Sequence, residues 1–101
     1  MKRLDSREKD LFKAILELKD LEECHRFFVD LCTPAEIQAI TDRWRVACLL
    51  SEGIPYREIY EKTGVSTATV TRVARSLVRG ENGYRILIDR VKDPKPKRKK
   101  A

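Results

Sequence analysis

Apolar residues along this 101-residue chain recur at spacings of three and four, and every segment reads as helix. Leu11, Phe12, Ile15, Leu16 and Leu18 predict a first helix reaching about Lys19, with Asp5 to Glu8 as its capped, acidic start. Asp20 and Glu23 repeat that start, and Leu21, Cys24, Phe27, Phe28 and Leu31 give a second helix its apolar side. In Thr33-Pro34-Ala35-Glu36 a hydroxyl cap, a proline at the first helical position and an acid at the third open a long third helix. It carries Ile37, Ile40, Trp44, Ala47, Cys48 and Leu50 to a stop at Gly53. Two short helices hinged at Thr63-Gly64-Val65-Ser66 follow. After a break at Gly80-Glu81-Asn82-Gly83, a last helix holds Tyr84, Leu87, Ile88 and Val91 on one side. Six helices with short connections and no strand predict an all-α domain.

The most specific signal lies between Pro55 and Gly80, PYREIYEKTGVSTATVTRVARSLVRG. Gly64 predicts a left-handed end to the fourth helix, where a Cβ is penalised. Ser66 predicts an N-cap for the fifth, its hydroxyl accepting from a first-turn amide. Val70, Val73, Ala74 and Leu77 stand at i, i+3, i+4 and i+7 and give that helix one apolar stripe. Its opposite face is left to Thr67, Ala68, Thr71 and Arg75. This is the pattern of a helix-turn-helix, whose second helix enters the DNA major groove. Small hydroxyls and a methyl permit close approach, and arginine grips phosphate or the O6/N7 edge of guanine. An ordinary helical hairpin with a solvated face usually mixes both signs of charge. Here the run from Val65 to Gly80 holds Arg72, Arg75 and Arg79 and no acid. The expected DNA-binding set is therefore Arg57, Ser66, Thr67, Ala68, Thr71, Arg72 and Arg75, with double-stranded DNA as the partner.

Charge separates a body from a tail. Residues 92–101, KDPKPKRKKA, hold six Lys/Arg and one Asp and so carry +5 of the net +6. With two prolines and no apolar residue before Ala101, they are expected to form a disordered basic tail behind a single helical domain spanning 1–91. Such a tail serves either as a solubilising end or as an arm that gains by releasing counterions near phosphates. Cys24, Cys32 and Cys48 are an odd set without a signal peptide, which points to a reducing cytoplasm and buried thiols. A zinc site from Cys24, His25 and Cys32 lacks paired spacing and a fourth ligand, so no metal is expected. No apolar run approaches the roughly 20 residues of a bilayer span, so no membrane partner is expected.

Catalysis is not indicated: the chain has one histidine, no glycine-rich phosphate loop and no nucleophile beside a recognisable base. The rival from another class is a helical protein-interaction module that uses the same surface for docking. RNA is disfavoured because the reading helix lacks aromatics for base stacking. The first three helices carry more apolar residues than a small helix-turn-helix needs, which suggests a partner surface. A two-fold homodimer, which also supplies two reading helices, is the default.

Two stretches resemble the Trp repressor superfamily, and most closely its Trp repressor-related YerC/YecD branch. One runs from Thr33-Pro34-x-Glu36 through Arg43-x-Arg45 to Leu49-Leu50-x-x-Gly53. The other runs from Arg57-Glu58 through Gly64 to Ala68-Thr69-Val70-Thr71-Arg72 and Ser76-Leu77. They cover about half of the chain, with one residue missing just after Gly53, and the helix order extends the match to nearly all of it. The resemblance implies an intertwined homodimer and a transcriptional regulator, a repressor in type, working in the bacterial cytoplasm and on the nucleoid when bound to DNA. It also implies DNA contacts at Thr67, Ala68 and Thr71.

The type member of that superfamily holds tryptophan between two arginines, which Arg43 and Arg72 match; Thr33 and Ser76 match polar positions of the same pocket. The residue after the second arginine is glycine in the tryptophan-binding member and Val73 here. A branched side chain there occupies volume the indole needs, and close-packed interiors tolerate overpacking poorly. The expectation is therefore a chain without cofactor, with DNA binding independent of tryptophan. Thr33, Arg43, Arg72 and Ser76 remain the positions of a possible effector pocket.

Overall fold

Side-chain caps fix the starts of α-helices at Asp5, Asp20, Thr33 and Ser66. The computed structural model describes residues 3–93, and among these the elements are six α-helices and no strand. They are α1 (Ser6–Ile15), α2 (Leu21–Leu31), α3 (Pro34–Ser51), α4 (Tyr56–Thr63), α5 (Thr67–Arg79) and α6 (Gly83–Lys92). At α1 the Asp5 carboxylate accepts from the Glu8 amide at 2.8 Å while Glu8 accepts from the Asp5 amide at 3.2 Å. Thr33 and Glu36 close the same reciprocal box at α3, at 3.1 and 2.8 Å. Each box satisfies two amides that the first turn leaves without intrahelical partners.

The first helix is shorter than its apolar spacing suggests. It stops at Ile15 because α2 claims the backbone ahead of it. The Lys19 amide donates to Glu23 Oε1 at 2.9 Å, and Asp20 is held extended (φ −151°, ψ 177°) to cap the Glu23 amide. The intervening chain is tightened into three-residue turns, Glu17 to Ala14 and Leu18 to Ile15.

The chain forms two compact units, Met1–Gln38 and Ala39–Ala101. In the first, no residue of α1 or α2 is buried, and Phe27 and Phe28 meet edge to face at 5.4 Å. The second has its own core: Val46 and Ala47 of α3, Ile59 of α4, Val65 of the turn, Val70 and Val73 of α5, and Ile88 of α6. Trp44, Cys48, Leu49, Leu50, Ile54, Leu77 and Tyr84 pack around it. At the end of α3 the Gly53 amide donates to Leu50 and the Ile54 amide to Leu49, a paired closure that turns the chain toward α4.

The expectation of buried thiols needs correction. Cys24, Cys32 and Cys48 are free but half-buried: α2 buries no residue, and Cys48 packs against the outside of the core. α6 carries Tyr84, Leu87, Ile88 and Val91 on one side as expected; in the single chain Ile88 is buried, Tyr84 half-buried, and Leu87 and Val91 exposed. The basic tail falls almost wholly at 94–101, outside the described residues.

Candidate nucleic-acid interface

The turn between α4 and α5 is fixed by backbone geometry and one threonine. Gly64 adopts φ +74°, and its amide donates to the Tyr60 carbonyl at 2.7 Å. Thr63 ties both sides of the turn: its hydroxyl donates to the Ile59 carbonyl at 2.7 Å and accepts from the Val65 amide at 3.0 Å. Val65 drops into the core, which fixes where α5 starts. Ser66 is the N-cap, accepting from the Thr69 amide and lying 3.2 Å from the Thr69 hydroxyl.

Burial then splits α5 lengthwise. Val70 and Val73 are buried, and Ala74 and Leu77 are half-buried beside them. Ser66, Thr67, Ala68, Thr71, Arg72 and Arg75 are all exposed, as is Arg57 on the first turn of α4. At about 100° per residue, Thr67 and Thr71 lie one turn apart along one edge of the exposed arc. By the same period Ala68 and Arg72 lie along the other edge, with Arg75 between the two edges. The structure thus brings the expected DNA-binding residues of α5 onto one continuous surface.

Arg79 was not in the expected set. It is exposed and stands seven residues after Arg72, so the same helical period that placed the others could have found it. Among the described residues the ion pairs are Arg7–Asp5, Arg26–Glu22 and Lys62–Glu58, and none involves Arg57, Arg72, Arg75 or Arg79. Among the described residues these four arginines have no ion-pair partner. From α6, the Arg85 guanidinium donates to the Leu77 carbonyl at 3.2 Å, satisfying one of the carbonyls that the end of α5 leaves open. No sequence spacing signalled that contact.

The possible effector residues are differently placed. Thr33 belongs to the first unit, with its hydroxyl engaged in the cap of α3. Arg43 is half-buried, Arg72 is exposed, and Ser76 is half-buried. Among the described residues no hydrogen bond or ion pair joins Arg43, Arg72 and Ser76. Ser76 instead lines an open depression of about 530 Å³ with Trp44, Gly80, Glu81, Gly83, Tyr84 and Leu87. Val73 is 1 % exposed, so its side chain is a core residue. Among the described residues no group of His, Cys, Asp and Glu could hold a metal ion. The Cys48 thiol has its pKa pushed up by burial and by Glu52, with Lys92 acting the other way.

Comparison with known proteins agrees with this fold. The family model for Trp repressor protein matches residues 7–92. Uncharacterized protein YerC of Bacillus subtilis is 54% identical over 83 residues, covering 82% of this chain and 80% of that protein. Among solved structures, a TrpR like protein from Eubacterium eligens superposes with a TM-score of 0.84 at 45% identity, over 90% of this chain and 94% of its own. A candidate Trp repressor from Staphylococcus aureus does so with a TM-score of 0.85 at 43% identity, over 88% and 89%.

Proposed function

Because the chain belongs to the Trp repressor protein family, in its YerC-related part, we propose that it is a sequence-specific DNA-binding transcriptional regulator that represses by occupying its site. The observation that carries this reading is the outward face of α5. Seven residues, Arg57, Ser66, Thr67, Ala68, Thr71, Arg72 and Arg75, stand exposed on a helix-turn-helix closed by a left-handed glycine. No acid lies between Val65 and Gly80 to repel phosphate.

The protein acts as a homodimer in the cytoplasm and on the nucleoid. Two copies present two reading helices about one helical turn apart, roughly 34–36 Å, so that both enter the major groove on one side of the duplex. The arginines meet phosphates and fix register, and the short side chains at the start of α5 meet base edges. None of these roles is catalytic.

Tryptophan plays no part. Val73, 1 % exposed, is packed into the core at the place where the resemblance puts the glycine that makes room for indole. Selection of bound duplexes from a random pool tests the reading. Enrichment of a two-fold symmetric sequence, equal with and without tryptophan, is the expected result. A chain that enriches no sequence and elutes from heparin like a neutral protein is a docking module instead. Saturable tryptophan binding by calorimetry, lost in Arg43→Ala, overturns the corepressor-free mechanism.

A further inference from the structure

Ahead of Arg72, the start of α5 presents a surface with little hydrogen-bonding power to distinguish bases. Recognition helices of this class read base edges with their N-terminal residues. Here the exposed ones are Thr67, Ala68 and Thr71. The side chains that name a purine by two simultaneous hydrogen bonds are arginine or lysine for guanine, and asparagine or glutamine for adenine. None precedes Arg72, which lies about 9 Å along the helix from Ser66 at 1.5 Å per residue. The Ser66 and Thr69 hydroxyls are turned toward each other at 3.2 Å, and Thr69 is half-buried. The two remaining hydroxyls, of Thr67 and Thr71, each donate or accept as the partner requires, so they contribute adhesion and little discrimination.

What all three outward residues share is a methyl group. The major groove displays one methyl of its own, on C5 of thymine. We propose that the sequence class recognised is marked by thymine at the positions facing the start of α5, read through its C5 methyl by the methyl groups of Ala68, Thr67 and Thr71. Contact between two methyl groups excludes water from both. Cytosine, which lacks the methyl, and the purines, which place ring nitrogen or amino groups there, do not offer it. This inference rests on the proposed DNA-binding function and names the chemistry by which it becomes selective.

Uracil replaces thymine with loss of the C5 methyl alone and with pairing unchanged, which makes the test sharp. The consensus from a random-pool selection is synthesised with each thymine in turn replaced by uracil, and affinity is measured for the full chain. At least one position in each half-site is expected to weaken binding about fourfold, the worth of one methyl(ene) withdrawn from water. Ala68→Gly is expected to lose a similar factor on thymine-containing DNA and nothing further on the sensitive uracil duplex. The uracil series needs no altered protein, so it stands even if that variant folds poorly. A consensus in which every thymine tolerates uracil within experimental error overturns methyl readout and leaves the regulator reading intact. A pool that yields no consensus at all overturns the regulator reading.

Discussion

Gly64 and Gly80 bracket α5, and substituting them is expected to damage the protein for different physical reasons. At Gly64 (φ +74°) an added Cβ would find nothing within 4 Å, so a substitution there meets no neighbour. Its cost is conformational: roughly 1–2 kcal/mol to hold an L-residue with a Cβ left-handed. About 0.4–1 kcal/mol of that is offset by the reduced freedom of the unfolded chain. Gly64→Ala is therefore expected to lose around 1 kcal/mol, Gly64→Asn distinctly less because asparagine tolerates this region, and Gly64→Val more because it is β-branched. At Gly80 the backbone is not left-handed, but an added Cβ falls 2.5 Å from the Ser76 carbonyl oxygen. That atom accepts the Gly80 amide at 2.8 Å and closes the end of α5, so it cannot retreat freely. Gly80→Ala is expected to cost roughly 1–3 kcal/mol by overpacking, and Gly80→Asn to recover none of it. Urea denaturation at one fixed protein concentration reads both series as shifts in midpoint at constant slope. If Gly64→Asn proves as damaging as Gly64→Val, the left-handed account of the turn is wrong.

Ser66→Ala removes the side chain that caps the Thr69 amide and should cost about 1 kcal/mol of stability in the same denaturation assay. Arg75→Ala should lower DNA affinity by a similar factor for every sequence and reduce the slope of log affinity against log salt by about 1 for each phosphate that Arg75 neutralises; a changed consensus would assign it to base reading instead. Because burial and Glu52 raise its pKa, Cys48 should react with iodoacetamide at pH 8 more slowly than free cysteine. Glu52→Gln should lower that pKa and quicken the reaction.

Helix starts were legible from sequence because caps are local. Asp5 with Glu8, Asp20 with Glu23, Thr33 with Glu36 and Ser66 with Thr69 each act over three residues, and all four form. The end of α1 was not legible, since the apolar spacing through Leu18 says nothing of the competition in which α2 captures the Lys19 amide. The exposed face of α5 was legible because one helix has one period, and burying Val70 and Val73 leaves Thr67, Thr71 and Arg75 outside. The depression around Trp44 and Tyr84 was not, as its walls come from α3, the break after α5 and α6 together. Periodicity also fails to say what covers an apolar face. Leu87 and Val91 share a side with Ile88 and yet lie exposed.

The same gap between pattern and cover bears on the proposed dimer. α1 and α2 are 10 and 11 residues long, and neither buries a side chain. Isolated helices shorter than about 12–15 residues are marginal in water even for favourable sequences, because the cost of the first turn is recovered over too few bonds. Their caps add about 1 kcal/mol each, which helps but does not supply a packed face. Phe12, Leu16, Leu21, Val29 and Leu31 are exposed, and a second copy that covered them would provide what the short helices lack. Dimerisation and the order of α1 and α2 are then one equilibrium, while the unit from Ala39 onward keeps a core of its own. Dilution through the dissociation range should lower far-ultraviolet ellipticity by the share belonging to α1 and α2, and amide exchange should quicken there before it does in α4 and α5. Phe12→Glu should produce the same loss at high concentration. Ellipticity that stays constant while sedimentation reports dissociation to monomers would show that these helices stand without a partner, and the proposed coupling of order to assembly would fall.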